Sequence, residues 1–443
     1  MSKQRIQLSD HFTYSRLLRF VLPCIGTMLF TSIYGIVDGL CVSNFVGKTA
    51  FAAVNLIMPL PMLLGTIGFM LGTGGSAIVG ITLGEGDQKK ADRYFTLFLL
   101  AALVSVSVLA VLGIVFLRPI AVLLGAKGEL LDYAVRYGRI LMVSLPTFAL
   151  QNMFQSFFVT AEKPHLGFWF TVGAGCTNMV LDVLMVGIWG WGVEGAAIAT
   201  FISQLVGGVL PVFYFIDRSN SSRLHLCKTS FYSKVLRDAC INGSSELMTN
   251  LSMSLVNILY NYQLLRLAGE NVIMYAAFLF VAVFVGYAVG SAPIVSFHYG
   301  ARNHAEVHNL YRKSLRLIAV VAVTLTLASM FIIPCVARIF VGYDAELLAL
   351  TSRAFRLYAL SFLIMGFNVY ASSFFTALGD GVTSALISFL RTLAFQVIAI
   401  LLLPLLLGID GIWLAVTAAE LAALAVSTAM LLTKDKVFHY RKA

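Results

Sequence analysis

The chain has 443 residues, 59% of them hydrophobic and only 12% charged, with a mean hydropathy of +0.88 and a formal net charge of +10. A soluble domain carries roughly twice that charged fraction, so a water-soluble enzyme or binding module is excluded. The positive charge is not a nucleic-acid footprint either, because it collects in alternate loops between apolar runs.

Apolar runs between polar breaks predict twelve membrane helices, near 17–45, 51–83, 94–117, 133–160, 166–188, 193–216, 234–264, 271–298, 314–337, 352–378, 382–407 and 411–432. Each is long enough for the roughly 30 Å hydrocarbon layer, so the predicted class is an all-α polytopic membrane protein. The polar start MSKQRIQLSDHF leads straight into the first span and predicts no cleaved signal peptide. Pro23 in span one and Pro59 and Pro61 in span two predict bends. GTGGSAIVG (72–80) lacks the Lys-Ser/Thr and the preceding strand of a phosphate loop, and reads as small residues for close helix packing. The polar stretch 217–233 divides the chain almost in half. It predicts an N-lobe (1–216, helices one to six), a cytoplasmic linker (217–233) and a C-lobe (234–443, helices seven to twelve).

The halves repeat at an offset of about 216 residues, as expected of an internal duplication. GVEGAAIATFISQ (192–204) aligns with GIDGIWLAVTAAE (408–420), and ILMVSLPTFALQNMFQSFFVTA (140–161) with LYALSFLIMGFNVYASSFFTAL (357–378). Six spans separate the copies, so both insert in the same direction. A parallel repeat predicts two six-helix bundles about an axis along the membrane normal, with a cleft between them, an architecture of transporters. Lys and Arg favour one set of loops, 21 against nine, with Arg391 inside span eleven. That set holds both termini and the linker, which predicts a cytoplasmic side for all three.

Asp38 and Asp182 lie within spans one and five of the N-lobe, each roughly 10 Å short of the outer end at a rise of about 1.5 Å per residue. Asn178 is one turn deeper than Asp182, and Thr200 on span six reaches a similar depth. An acid at such a depth costs about 2.5–3.5 kcal/mol on insertion scales and usually faces a cavity. Two carboxylates in a poorly solvated pocket do not both stay ionised cheaply, so they share a proton or hold a cation. Asn and Thr oxygens add neutral ligands that suit Na⁺. The alternative, polar pairs that only lock helices together, stays open from sequence.

The C-lobe is polar in a different way. On span seven, Glu246, Asn250, Asn257 and Asn261 fall close to one helical face, and Glu420 sits mid-span in helix twelve opposite Gln204 in the repeat. Glu246, Asn250, Asn257, Gln204 and Glu420 are the expected cavity wall. Carboxylates and amides among aromatics and Met suit bulky organic cations, although hydrogen bonding between helices would also account for the Asn residues. His298, His304 and His308 straddle the loop after span eight; the i, i+4 spacing of the last two leaves a metal site as the alternative, but a solvated cytoplasmic loop is the favoured reading. Cys24, Cys41, Cys176, Cys227, Cys240 and Cys335 lack metal or redox spacing and read as small packing residues.

IVDGLCVSNFVG, LGEGDQKKA after span two, the block NMVLDVLMVGIWGWGVEGAAIAT, and SSE in span seven together resemble the multidrug and toxic compound extrusion (MATE) family over nearly the whole chain. The resemblance implies a bacterial-type efflux transporter in the inner (cytoplasmic) membrane, with two bundles in a V. It implies antiport of cationic drug-like molecules against H⁺ or Na⁺, with no other cofactor, no nucleic-acid partner and no catalytic residue. It maps Asp38, Asn178, Asp182 and Thr200 onto the proton or Na⁺ site, and Glu246 onto the second-lobe acid. GFNVYASSFF (366–375) departs from members that carry an acid in span ten; Asn368 is its nearest polar residue. A monomer is expected. The rival readings are a flippase of the same superfamily, exporting a lipid-linked oligosaccharide or another amphiphile, and a membrane-embedded enzyme. A major facilitator transporter is disfavoured because LGEGDQKKADR is not that family's loop.

Overall fold

The computed structural model describes residues 6–268, 275–341 and 345–441, and all regular structure among them is helical. The N-lobe contains α1 (Tyr14–Phe45), α2 (Lys48–Ile57) and α3 (Pro59–Gly84), α4 (Gln88–Leu123), α5 (Glu129–Thr160), α6 (Pro164–Asp182), then α7 (Gly192–Gly208) and α8 (Leu210–Ile216). The C-lobe contains α9 (Ser233–Asn242) and α10 (Ser244–Ala268), α11 (Tyr275–Gly300), α12 (His304–Val341), α13 (Ala345–Ala359) and α14 (Phe362–Ala377), α15 (Gly381–Phe389), α16 (Phe395–Leu407), α17 (Ile409–Thr433) and a short α18 (Asp435–Phe438). π-helical turns at Val183–Ile188 and Leu390–Ala394 interrupt spans five and eleven, which the sequence reading had as continuous helices.

Among the described residues, nine helical stretches are long and apolar enough to cross a membrane, and α13 with α14, bent by 48°, makes a tenth. α5 and α10, of 32 and 25 residues, complete the twelve. Both carry too many polar residues to stand out by hydropathy alone. α5 is largely enclosed by other helices, whereas α10 leaves Leu251, Met253, Leu255 and Ile258 exposed.

The lobes are joined at the end that carries the linker. One core cluster draws on both halves there, with Phe95, Phe154 and Phe157 from one lobe and Phe297, Phe374 and Tyr370 from the other. Toward the opposite end the clusters belong to single lobes: Val54, Ile57 and Tyr137 in the first, Ile412 and Trp413 in the second. Glycines make the seam. A Cβ on Gly74 would stand 2.1 Å from the Ala239 carbonyl oxygen, and one on Gly243 would stand 1.9 Å from that of Met70. A Cβ on Gly84 would stand 2.0 Å from Phe297 O, and one on Gly300 2.0 Å from Ile81 O. Backbone therefore lies on backbone, the close approach that small residues allow where no water drives helices together. Gly74 and Gly80 of GTGGSAIVG lie in this seam, as packing residues should.

Two irregular segments reinforce the same end. Residues 6–13 run across both lobes, with Leu8 and Phe12 fully buried. The Leu8 N–H donates to Glu162 Oε1 at 2.9 Å on the first lobe, and the Phe12 N–H to Glu306 Oε1 at 2.8 Å on the second. His11 Nδ1 lies 2.6 Å from Glu306 Oε2, while Asn309 and Lys313 donate to the Phe12 carbonyl. The linker is ordered as well: the His225 N–H donates to Asp92 at 3.0 Å, the Cys227 N–H to Thr96 at 3.1 Å, and Arg223 pairs with Glu162. His298 is buried against Phe12 and Phe297, so the reading of a solvated loop histidine fails for it. The reason is the strap, whose position no local pattern announces.

Candidate functional site

Spans one, five and six meet around Asp182. Gly175 allows the approach, since a Cβ there would stand 2.5 Å from the Phe30 ring of α1, and Gly195 seats α7 against Met185. Asp182 is the last α-helical residue before the π-helical turn and is fully buried. π turns recur at functional positions because they re-aim the side chains beside them. The carboxyls of Asp38 and Asp182 interact directly, side chain to side chain.

Three of the four carboxyl oxygens, both of Asp182 and Oδ1 of Asp38, are buried without a hydrogen-bond partner among the described residues, as are the Oδ1 and Nδ2 of Asn178. Ionised carboxylates only accept hydrogen bonds, so two facing each other need something positive between them: a shared proton or a bound cation. Buried polar atoms in native proteins are nearly always paired, which makes this cluster an exception with a chemical meaning. Thr200 on α7 donates its hydroxyl to the Ala196 carbonyl at 3.0 Å, and among the described residues no hydrogen bond joins it to Asp182 or to the Asn178 side chain. Tyr34 and Tyr137 stand within Coulomb reach, Tyr34 of Asp38 and Tyr137 of both acids.

The C-lobe interior is arranged differently. Arg391 Nη1 donates to Glu420 Oε1 at 3.0 Å, and Asn368 Nδ2 to Glu420 Oε2 at 2.7 Å. Glu420 is thus not an open cavity wall as expected from sequence; its carboxylate is occupied by a charge and an amide from neighbouring helices. Glu246 lies on α10, partly buried and within Coulomb reach of Arg391. Asn250 lies one turn along and donates to the Glu246 carbonyl at 2.8 Å, while Asn257 is exposed. Gln204 belongs to the first lobe, and its Oε1 is buried without a partner. The side chains of Cys41, Asn261 and Cys335 lie outside the described residues.

Sequence reasoning missed Tyr137 and the Arg391–Asn368 clasp. Tyr137 sits five residues into span four as predicted, where an aromatic reads as an interfacial anchor. Arg391 was legible as a charge inside a span, but the partner it would choose was not. Among the described residues no group of three or more His, Cys, Asp or Glu is placed to hold a metal ion.

Comparison with known proteins bears on this arrangement. The MatE family model matches residues 23–184 and again residues 243–402, one match in each half. Multidrug export protein MepA of Staphylococcus saprophyticus is 20% identical over 433 residues, covering 96% of this chain and 95% of that one. MepA of Staphylococcus aureus strain N315 is 21% identical over 432 residues, with the same coverage. Among solved structures, an outward-facing multidrug resistance MATE transporter of the MOP superfamily superposes with a TM-score of 0.92 at 22% identity, over 99% of each chain. A MOP superfamily transporter from Pyrococcus furiosus, described as having a binding pocket of reverse polarity, reaches 0.89 at 22% identity over the whole of both chains. The structural matches carry the twelve-helix fold, and the two family-model matches span most of the sequence. This multi-pass membrane protein therefore belongs to the multidrug and toxic compound extrusion (MatE) family, a family of transporters rather than enzymes.

Proposed function

We propose that the protein is a secondary active multidrug exporter that exchanges bulky organic cations for H⁺, or for Na⁺, by alternating access. The observation that carries the coupling half of this reading is the unmatched pair Asp38 and Asp182 with Asn178 beside it. A proton or Na⁺ entering the pair removes the repulsion between the carboxyls and draws α1 toward the junction of α6 with its π turn. Its departure restores the repulsion, so occupancy biases the shape of the N-lobe. Thr200 serves as a neutral ligand where Na⁺ is the ion.

Substrate recognition is assigned to the cleft between the lobes, with Glu246 as the charge that attracts a cation and Asn250, Asn257 and Gln204 as its polar wall; Glu420, its oxygens taken by Arg391 and Asn368, is left out of that wall. The names and family of the relatives support drug-like substrates. Positive charge in the linker-side loops supports an inner-membrane orientation with both termini cytoplasmic. Lobes 1–216 and 234–443 then act as the two moving units of a monomer. In that orientation the structure is shut toward the cytoplasm by the glycine seam and the 6–13 strap.

The test is ethidium efflux from proteoliposomes under an imposed ΔpH or an imposed Na⁺ gradient, applied separately. Efflux under one gradient, abolished by Asp182→Asn, supports the reading and names the ion. Equal efflux in native and Asp182→Asn protein under both gradients refutes coupling through this site.

A further inference from the structure

The charge inside span eleven has no role in the coupling site. Arg391 lies in the π-helical turn Leu390–Ala394, near the middle of the span that runs from Gly381 to Leu407. Its side chain is 13% exposed and that of Glu420 only 5%. Asn368 closes the other side of Glu420, donating to both its carboxylate and its backbone carbonyl. Tyr358 stands within Coulomb reach of both charged partners. Among the described C-lobe spans, Glu246, Glu420 and Arg391 are the charged residues withdrawn into the interior, whereas Arg353 and Arg356 of α13 are exposed.

An ion pair in a low-dielectric interior is weak evidence for stability, because desolvation offsets most of the Coulomb gain. Such a pair is better understood through what it does to the charge seen from outside. The guanidinium is not saturated by its surroundings: Nε is buried without a hydrogen-bond partner. The same cation also stands within Coulomb reach of Glu246. A clasp that only locked helices would not need to be shared with a second acid.

We propose that Arg391 is a specificity-determining residue: a tethered cation that cancels Glu420, so that the C-lobe presents the single negative charge of Glu246 and selects monocations over dications. This rests on the cation-export reading above. A second positive charge on a substrate would meet the guanidinium where it would otherwise meet a carboxylate. Arg391 acts through the charge it cancels and need not touch the substrate.

The test pairs two dyes with one ring system, ethidium with one positive charge and propidium with two, in proteoliposome efflux. Arg391→Met uncovers Glu420, and the propidium-to-ethidium transport ratio is expected to rise by about ten-fold, a small part of what one charge is worth at an effective dielectric constant near 20. Glu420→Gln leaves the guanidinium unmatched, and ethidium transport is expected to fall by roughly five-fold or more. The double variant Arg391→Met/Glu420→Gln is expected to return both readings to within about two-fold of native, since the net charge is again that of Glu246 alone.

An unchanged ratio in Arg391→Met overturns the proposal. So does a double variant as impaired as Glu420→Gln, which would make Glu420 a direct ligand. If Arg391→Met does not survive size-exclusion as a folded protein, Glu420→Gln against the double variant decides the matter. Native protein that moves neither dye refutes cation export and this proposal with it. Native protein that moves ethidium, with an unaltered ratio in the variant, refutes only the assignment to Arg391.

Discussion

Substituting Gly84→Ala should tip the protein toward the conformation open at the linker end. A Cβ at this position would lie 2.0 Å from the Phe297 carbonyl oxygen and 2.7 Å from the Ala301 nitrogen, both backbone atoms that no rotamer change can move. Relief requires α3 and α11 to part by about 1 Å or more, and overpacking of this kind costs roughly 1–3 kcal/mol. On the alternating-access reading the cost falls on one state only, because the two helices belong to different lobes and would separate when the linker end opens. A bias of that size changes the ratio of the two states about 5- to 150-fold. Spin labels on Leu123 of α4 and Leu406 of α16, both exposed at the far ends of their helices, report the separation by double electron–electron resonance. The expected result is a growing population at shorter distance as the far end closes. Gly173→Ala serves as control, since the nearest atom to its Cβ is Val206 Cγ1 at 3.9 Å. A folded Gly84→Ala protein with the native distance distribution would mean that the seam does not distinguish the two states.

Other outcomes follow from the same geometry. Asp38→Asn should abolish gradient-driven efflux as completely as Asp182→Asn, while the double variant should be no worse than either; unequal effects in the dye assay would show that the carboxyls do not act as one unit. Glu306→Gln weakens the acceptor of the 6–13 strap, a charge-assisted set worth roughly 1.5–3 kcal/mol, and should shift the label distances in the same direction as Gly84→Ala. At the linker end Asp380 caps α15 and pairs with Lys434 at 2.8 Å. Burial pushes its carboxyl up, but the Lys434 and Thr383 hydrogen bonds outweigh burial and hold it below the usual carboxylate range. A folded-state carboxyl depressed in this way contributes stability above its unfolded titration and loses it as pH falls through the folded value. Asp380→Ala should therefore cost about 1–2 kcal/mol at neutral pH, with the difference in melting temperature shrinking once the pH drops below about 4.

The legible part of the site was its chemistry and depth. Asp38, Asn178, Asp182 and Thr200 could be placed at a common level because helical rise converts residue number into height. The meeting of Asp38 with Asp182, and the share of Tyr137, depended on which faces α1, α5 and α6 turn inward. That is settled by contacts such as Gly175 on Phe30, between residues far apart in sequence. Glu420 shows the limit from the other side. Its type and depth were right for a cavity acid, but Arg391 and Asn368 reach it from two other helices and take its oxygens.

Periodicity, hydropathy and the internal repeat determined by themselves that this chain is a membrane-embedded duplication of six helices, because insertion into lipid depends on local composition and on the length of each apolar run. Even α5 and α10, the most polar of the twelve, were read from the apolar runs between polar breaks. Only the tertiary structure decided which charges are free and which are cancelled, where the irregular segment 6–13 and the linker lie, and at which end the lobes touch. The strap through Leu8 and Phe12, the glycine seam and the Arg391–Glu420 pair each join segments that are remote in sequence. The physical reason is that the partner of a buried polar group is chosen by packing, whereas the cost of burying it is already written in its residue type.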